Sequence, residues 1–307
     1  MAIRFDDQVV IVTGSGNGLG KSHALEFARR GARVVVNDLG GARDGSGSSG
    51  DSAGAVVEEI KSAGGEAIAN GANVADFAQV EAMVAEALDK WGRIDVLVNN
   101  AGILRDKTFA KMELANFQMV IDVHLIGSVN CSKAVWEHMR ERQYGRIIMT
   151  TSSTGLYGNF GQTNYGAAKL GLVGFMNSLG LEGHKYGIKV NTLSPVAATR
   201  MTLDVIPEQV LGLLEPEAVT PAVIFMASED APTRQIITAG AGGYAMAIIQ
   251  ETPGIFLHPD ERTAENVADA WDRISNTEGI RQLQHGGEQT EKFLTQAAKE
   301  LGIDLGS

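Results

Sequence analysis

Tyr165 and Lys169 lie four residues apart in the segment NFGQTNYGAAKLGL, and most of the residues around them are small. Residues four apart project from the same face of a helix, so the two side chains would be neighbours. A tyrosine with its ordinary pKa of about 10 is a poor base at neutral pH, but a nearby ammonium group lowers that pKa. The pair could therefore exchange a proton with a substrate, or it could be an ordinary tyrosine beside a lysine that reaches solvent.

The elements around this pair decide between the two interpretations. Short runs rich in β-branched residues alternate six times with segments of helical periodicity. This order predicts an α/β fold, a doubly wound, mostly parallel sheet of the Rossmann type with helices on both faces. We predict strands at residues 8–14, 32–38, 66–74, 94–102, 146–153 and 188–195, and helices at residues 19–32, 55–65, 77–92, 116–141 and 163–187. The glycine- and serine-rich segment 40–54 is predicted to be a mobile surface loop.

The residues that follow the first strand, TGSGNGLG at 13–20, suit a nucleotide phosphate. Ligands of doubly wound sheets bind beyond the carboxyl ends of the strands. Glycines there permit a tight turn and a close approach of a pyrophosphate, and the following helix offers free N–H groups. The overlapping GKS sequence would suit a different phosphate-binding loop, G-x-x-x-x-G-K-[ST], but Ser15 stands where that motif needs its first glycine.

The other predicted strands also end in polar or small residues. Asp38 follows the second strand, and its carboxylate could accept hydrogen bonds from an adenosine ribose and repel a 2′-phosphate, which favours NAD over NADP. The alternative is an aspartate that only stabilises a turn. Asn73 and Val74 are predicted to end the third strand, where an adenine could lie. NNAG (99–102), Ser152 and Ser194-Pro195 follow the next three strands.

Six motifs together resemble the short-chain dehydrogenases/reductases, in that family's order and spacing, over about residues 6 to 250: TGSGNGLG, Asp38, NNAG, Ser152, YGAAK (165–169) and NTLSP (191–195). The resemblance implies that Ser152, Tyr165 and Lys169 are catalytic. Tyr165 would move the substrate proton, Ser152 would hold the substrate oxygen, and Lys169 would lower the pKa of Tyr165 and bind the nicotinamide ribose. It implies that NAD is held by Gly14, Asn17, Gly18, Leu19, Asp38, Asn73, Val74, Asn100, Ala101, Gly102, Tyr165, Lys169, Pro195 and Thr199.

Two departures from the family pattern concern the site. His124, in the sequence VHL, stands where many members have an asparagine that takes part in catalysis. His124 could hold the same water or backbone position, or it could be a plain interface residue. The sequence SPVAAT (194–199) replaces the proline-glycine of many members, which makes the exact placement of Thr199 an open point. Met201 and the residues up to about Pro216 are expected to form a substrate lid.

A narrower resemblance is to the dehydrogenase units of peroxisomal multifunctional enzymes of type 2, carried by VVNDLGGARDGSG, NNAGILRDKTFAKM and TRMT (199–202). It implies NAD-dependent oxidation of (3R)-3-hydroxyacyl-CoA to 3-oxoacyl-CoA. It also implies self-association, as a dimer or a tetramer, and a separate enoyl-CoA hydratase as a partner. The alternatives are a 17β-hydroxysteroid dehydrogenase, which could be the same enzyme, an NADPH-dependent 3-oxoacyl-carrier reductase, and a nucleotide-binding regulator without turnover.

Composition and charge argue against several other classes of protein. The net charge of -11 argues against a nucleic-acid partner, and no apolar run is long enough for a membrane span. The single cysteine, Cys131, is expected to be a buried apolar residue in a reducing, cytoplasmic compartment. The histidines show no metal-ligand spacing, so no metal is expected.

The chain is expected to divide into an NAD-binding and catalytic domain, residues 1–250, and a helical C-terminal extension, residues 251–307. In the extension, RTAENVADAWDRISN predicts one amphipathic helix with an apolar stripe at Val267, Ala270, Trp271 and Ile274. We expect this extension to pack on the body of the protein or on a partner subunit rather than on a membrane.

Overall fold

A computed structural model describes residues 2–198 and 208–305 of the chain. The chain separates into two compact units, Met1–Met246 and Ala247–Ser307. Within the described ranges, no helix combines the length and apolar character that crossing a bilayer requires. Thr199 and Met201, predicted for cofactor binding and for a lid, lie outside the described residues.

The first unit is built on one eight-stranded sheet in the order β3-β2-β1-β4-β5-β6-β7-β8. The six recorded pairings from β3 to β7 are all parallel. The strands are β1 Val9–Thr13, β2 Arg33–Asn37, β3 Glu66–Asn70, β4 Val96–Asn99, β5 Gly145–Thr150, β6 Ile188–Val196, β7 Ile236–Gly240 and β8 Gly243–Ala247. The order reverses between β1 and β4, so the crevice for a ligand lies beyond the carboxyl ends of these two strands. The predicted doubly wound α/β fold is confirmed.

Helices cover both faces of this sheet. They are α1 Gly18–Arg29, α2 Asp51–Ser62, α3 Phe77–Trp91, α4 Leu114–Ile121, α5 Gly127–Arg142, α6 Ser153–Tyr157, α7 Thr163–Gly183 and α8 Thr220–Ala227. Alternate residues of β1 face opposite layers, as the period of a strand requires. Val10 and Val12 pack with Phe27 of α1, Val56 of α2 and Val223 of α8 in one buried cluster. Because both faces are covered, β1 is buried along its whole length.

Several predicted boundaries are wrong, among them the start of α2 and the end of β3. Helix α2 begins at Asp51, so the predicted loop 40–54 is shorter and its last residues are helical. An acidic residue in the first turn suits a helix start, and Ala53 is already buried. The third strand ends at Asn70, so Asn73 and Val74 lie beyond it in the connection to α3.

The predicted long helix at 116–141 contains an irregular turn. Helix α4 continues into a π-helical turn, Asp122–Ile126, and then into α5. His124, which marked a departure from the family pattern, lies in this turn and is buried. Such turns occur mostly as single insertions in α-helices, frequently at functional sites.

Strands β7 and β8 were not predicted from the sequence. Their residues, IITAG and GYAMA, are short and rich in glycine and alanine. Ala241 and Gly242 connect them with φ angles of 49° and 76°, the left-handed conformation that both central residues of a tight hairpin turn adopt.

Over its described residues, 247–305, the second unit contains three α-helices, α9 Ala264–Asp269, α10 Trp271–Ile274 and α11 Gly286–Leu301, and a 3-10 turn at Pro259–Glu261. The predicted single amphipathic helix is therefore wrong, because the helix is interrupted at Ala270. Lys292 of α11 pairs with Glu251, which also forms an isolated bridge with Arg281. How this unit packs on the body or on a partner stays a prediction.

The buried carboxylate of Asp95 holds the start of β1 against the start of β4. One oxygen accepts the backbone N–H of Val9 at 2.9 Å, and the Arg93 guanidinium contacts both oxygens at 2.7 and 2.8 Å. We expect Asp95→Ala to lower the free energy of unfolding by about 3 kcal/mol, because it leaves a buried N–H and a charge without their acceptor. Urea unfolding measures the difference. The control is Glu137→Ala, which removes the exposed Glu137–Arg140 pair and should change stability by less than about 1 kcal/mol. Equal losses in the two variants would contradict this role of Asp95.

Candidate active site

The glycine-rich turn after β1 is bound to the segment after β4. Gly14 has a φ angle of 64°, and a Cβ on it would lie only 2.7 Å from the Ala101 Cα atom. The Asn100 side chain donates from Nδ2 to the carbonyls of Thr13 and Gly14, both at 3.0 Å. Glycine at position 14 is therefore required by both its conformation and its closeness to the neighbouring segment.

The start of α1 keeps donors available for an anion. Asn17 caps this helix in an extended conformation without a side-chain hydrogen bond to the first turn. The first N–H groups of a helix have no partner inside the helix and lie at the positive end of its dipole. A pyrophosphate would satisfy them.

Asp38 holds the two turns on either side of it. Its Oδ2 atom accepts the Gly16 N–H and its Oδ1 atom accepts the Gly40 N–H, both at 2.7 Å. The turn-stabilising function considered from the sequence is therefore observed. An ionised carboxylate has about four acceptor positions, so a ribose could still bind to the same group.

A cavity of about 450 Å³ extends along this edge of the sheet. Ten of the predicted cofactor residues line it: Gly14, Asn17, Gly18, Leu19, Asp38, Asn73, Val74, Asn100, Ala101 and Gly102. Tyr165, Lys169 and Pro195 are not among the lining residues. The cavity, the uncapped helix start and the carboxylate suit the adenosine and pyrophosphate portions of a dinucleotide.

The three predicted catalytic residues come together between β5 and α7. Ser152 begins α6, and its Oγ atom accepts the Thr154 N–H at 3.1 Å. The Ser152 side chain lies close enough to the Tyr165 phenol to act on its pKa. The Lys169 Nζ atom lies 5.4 Å from the centre of the Tyr165 ring and donates to the Thr150 carbonyl at 2.5 Å.

Burial opposes the charged forms of Tyr165 and Lys169, the predicted catalytic pair. It raises the pKa of Tyr165 to about 12, although the Ser152 side chain acts in the opposite direction. It lowers the pKa of Lys169 to about 7. In the protein alone desolvation is the largest effect on the Tyr165 pKa, and the expected lowering of that pKa by Lys169 stays a prediction. Additional positive charge beside the phenol would be needed to lower the pKa of Tyr165 below its usual value.

His124 connects the π-helical turn to the segment after β4. Its Nε2 atom lies 2.8 Å from the Ile103 oxygen and 3.0 Å from the Ile103 nitrogen, so the tautomer decides which bond forms. Burial keeps the pKa of His124 well below its usual value. Among the described residues, Nδ1 is buried without a hydrogen-bond partner. The ring meets the Tyr165 ring edge to face at 5.2 Å, and a Cβ on Gly102 would overlap it.

Two residues that organise the site were not predicted. The Thr13 Oγ atom accepts the N–H groups of Asn100 and Ala101 at 3.0 and 3.1 Å. Asn164 is fully buried, accepts the Tyr165 N–H at 2.8 Å and donates to the Arg105 carbonyl at 3.0 Å. The sequence offered one signal for Asn164: it is a short polar residue directly before Tyr165, and such side chains often bond to the backbone at the start of a helix. In the part of the chain that the structure describes, no cluster of His, Cys, Asp or Glu could hold a metal.

Comparison with known proteins gives consistent matches. The family model described as short chain dehydrogenase matches residues 8–209. Peroxisomal multifunctional enzyme A of Dictyostelium discoideum is 47% identical over 277 residues, which cover 90% of this chain and 62% of that protein. The chain thus spans less than two thirds of this relative.

Two solved structures resemble the chain. Full-length peroxisomal multifunctional enzyme type 2 from Drosophila melanogaster has a TM-score of 0.80 and 34% identity, covering 97% of this chain and 50% of that one. A 7α-hydroxysteroid dehydrogenase complexed with NADH and 7-oxo glycochenodeoxycholic acid has a TM-score of 0.71 and 29% identity. That match covers 78% of this chain and 96% of that one.

Substitution of Asp38 tests whether this carboxylate binds the cofactor in addition to holding the two turns. We expect Asp38→Ala to raise the KM for NAD by about tenfold, since it removes a charge-assisted acceptor, and to reduce the preference for NAD over NADP. Initial rates with each cofactor measure both effects, with the melting temperature recorded beside them. Asp44→Ala is the control, because Asp44 stabilises a turn in the same loop through Ser46. An unchanged preference in Asp38→Ala would show that Asp38 only holds the turns.

Proposed function

The chain belongs to the short-chain dehydrogenase family, and we propose that it oxidises (3R)-3-hydroxyacyl-CoA to 3-oxoacyl-CoA with NAD. The observation that carries the proposal is the cluster of Ser152, Tyr165 and Lys169 at the carboxyl edge of the sheet, where the 450 Å³ cavity also lies. A hydroxyl-bearing substrate bound at this cluster would meet a hydrogen-bond donor and a proton acceptor together. The proposed reaction is therefore transfer of a proton to the protein and of a hydride to a nicotinamide.

The chain's own residues would hold the cofactor by contacts of three kinds. The uncapped start of α1 suits the pyrophosphate, Asp38 suits the adenosine ribose, and Asn73 and Val74 line the cavity where the adenine would lie. Arg43 also lines the cavity. We propose NAD rather than NADP because the Asp38 carboxylate, fixed by two backbone donors, would repel a 2′-phosphate at the end of β2.

The proton would leave the substrate through Tyr165. Ser152 donates to the substrate oxygen as negative charge develops there, and the Tyr165 phenolate accepts the hydroxyl proton. When bound, the oxidised dinucleotide supplies the hydride acceptor and a positive charge beside this cluster. Lys169 adds its own positive charge when protonated, which favours the phenolate against the cost of burial. In the direction of reduction, Tyr165 donates the proton.

Apolar side chains near this cluster support an amphiphilic substrate. Phe109 follows β4, whereas Tyr157 and Phe160 follow β5, and their exposed fractions are 69%, 75% and 87%. The Lys107 N–H donates to the Gly161 carbonyl at 3.0 Å and joins the two segments. Exposed apolar groups beside a catalytic cluster would bind an acyl chain or a steroid.

A 17β-hydroxysteroid is the second candidate substrate. The likeness to a 7α-hydroxysteroid dehydrogenase bound to NADH and a bile-acid derivative favours it, and one enzyme could act on both substrates. A 3-oxoacyl-carrier reductase is less favoured because it would need NADPH against the charge of Asp38. A regulator without turnover is less favoured because it would not need the catalytic cluster.

The proposal extends to partners and compartment. We propose self-association, because large apolar side chains are exposed on α4, on the π-helical turn and on α7, at Leu114, Ile126, Leu170 and Leu181. A hydratase that adds water to a 2-enoyl thioester would supply the proposed substrate. A reducing compartment such as the cytoplasm suits the single cysteine, which is buried and whose thiol pKa burial raises to about 12.

NADH formation from NAD tests the proposal directly, with a (3R)-3-hydroxyacyl-CoA, its 3S isomer and a 17β-hydroxysteroid compared side by side. We expect turnover of the 3R thioester. Tyr165→Phe should keep NADH binding and lose at least about a thousandfold in kcat, because the proton acceptor is removed. Tyr186→Phe is the matched control, since Tyr186 contacts Arg140 away from the cluster.

The outcomes separate the candidate functions. Turnover of the steroid alone would replace the acyl-CoA proposal, and binding without turnover of any substrate would support a regulator. Equal rates for Tyr165→Phe and the wild type would show that the mechanism is wrong.

The pH dependence of oxidation should follow the state of the Tyr165–Lys169 pair. Oxidation needs a proton acceptor, so kcat should rise with pH through an apparent pKa between the values of about 7 for Lys169 and about 12 for Tyr165. We expect Lys169→Met, assayed at saturating NAD, to move this rise to higher pH, because a positive charge that favours the phenolate is lost. Lys21→Met, which changes an exposed pair with Glu59, is the control. An unmoved profile in Lys169→Met would contradict electrostatic assistance by the lysine.

A further inference from the structure

The guanidinium of Arg105 bridges the loop between β2 and α2 and helix α4, and both of these segments line the cavity. Its Nε atom donates to the Asp44 carbonyl at 2.8 Å, in the loop between β2 and α2. Its Nη1 atom donates to the Asn116 side-chain oxygen at 2.5 Å, on α4. The preceding N–H, of Leu104, donates to the Arg43 carbonyl at 3.0 Å. The planar fork of an arginine can serve two such acceptors together, which a lysine ammonium on a flexible chain does less well.

The main chain of Arg105 fixes the start of the catalytic helix. Its carbonyl accepts from the Asn164 side chain at 3.0 Å, and the Asn164 oxygen accepts the Tyr165 N–H at 2.8 Å. Asn164 is fully buried, so neither bond can be replaced by solvent without rearrangement. A shift of the chain at Arg105 would therefore be transmitted to the backbone that carries the proposed proton acceptor.

The loop that Arg105 holds forms one wall of the cavity. Leu39, Gly41, Ala42, Arg43 and Gly45 line the cavity from this loop, and Ile103 lines it from the segment after β4. A Cβ on Gly45 would lie 3.1 Å from the Ile103 side chain, so the two walls are in close contact. Arg105 is bonded to this loop at the Asp44 carbonyl but is not among the residues that line the cavity.

We propose that Arg105 is a positioning residue that joins the cofactor loop, residues 39–50, to the start of α7. Affinity for the adenosine part of the cofactor and the alignment of Tyr165 would then depend on one side chain. This inference rests on the proposed dinucleotide site. A different mechanism, attraction of the cofactor phosphates by the charge of Arg105 alone, is distinguished by the experiment.

The test compares Arg105→Met, Arg105→Lys and the control Arg30→Met. Arg30 also donates from its side chain to a backbone carbonyl, that of Ile3 at 2.8 Å, but it lies at the far end of α1. Fluorescence titration gives the Kd for NADH and competition gives the Kd for AMP, at a temperature where melting curves show every variant folded. We expect Arg105→Met to weaken both by about tenfold, the effect of losing one or two hydrogen bonds, and to lower kcat as well. Arg105→Lys should lose about threefold, and Arg30→Met less than twofold.

Several results would overturn the positioning function. If Arg105→Lys binds NADH like the wild type and Arg105→Met binds it more weakly, charge alone matters. The same conclusion would follow if the loss of NADH affinity in Arg105→Met disappears at high salt. The positioning function would also be overturned if Arg105→Met and Arg30→Met have the same Kd for NADH. A lower melting temperature of Arg105→Met without a change in Kd would overturn it as well. If Arg105→Met does not fold, Asn116→Ala should raise the Kd by about threefold, and no change in that variant would count equally against the inference. Absence of NADH binding by the wild type would instead contradict the proposed function.

Discussion

The side chain of Asn100 joins the carboxyl ends of β1 and β4, the two strands between which the order of the sheet reverses. Parallel strands leave backbone carbonyls and N–H groups without partners at this edge, and buried groups of this kind need a partner. Asn100 satisfies two carbonyls, and the Thr13 hydroxyl satisfies two N–H groups opposite them. Gly14 can then lie against Ala101, and both α1 and the segment that leads to Arg105 start from this junction.

The catalytic cluster depends on a second constraint, which is the cost of burying charge. Lys169 is buried with the Thr150 carbonyl as an acceptor for its ammonium, and burial is the cause of its lowered pKa. Tyr165 is disfavoured as a phenolate for the same reason. Burial thus favours the neutral form of both groups, and their protonation responds strongly to any charge brought beside them, because the local dielectric is low. The fold thus provides a site in which protonation would depend on what is bound.

Local pattern was enough to predict the alternation of elements, and with it the edge at which Gly14, Asp38, Asn100 and Ser152 lie. Each of these residues directly follows a β-branched run, and the carboxyl ends of parallel strands share one edge. The features that were missed depend on contacts distant in sequence. The π-helical turn at His124 fits the ring against Ile103, which no helical periodicity reveals. The short strands β7 and β8 complete an existing sheet edge, and the break at Ala270 interrupts a pattern that reads as one helix.

Asp38 shows why a structural and a ligand-binding function are hard to separate at such an edge. Its two oxygens hold the Gly16 and Gly40 N–H groups, and these bonds fix the direction in which the remaining acceptor positions point. A carboxylate without these donors would lose orientation, and the glycine turns without the carboxylate would lose their acceptor. Arg105 resembles Asp38 in that it joins separate segments, since it contacts the Asp44 carbonyl and the Asn116 side chain, although it does not line the cavity. We therefore expect ligand affinity at this edge to depend on the hydrogen-bonded loops as a unit, because Asp38, which would bind a ribose, also holds the two turns beside it in place.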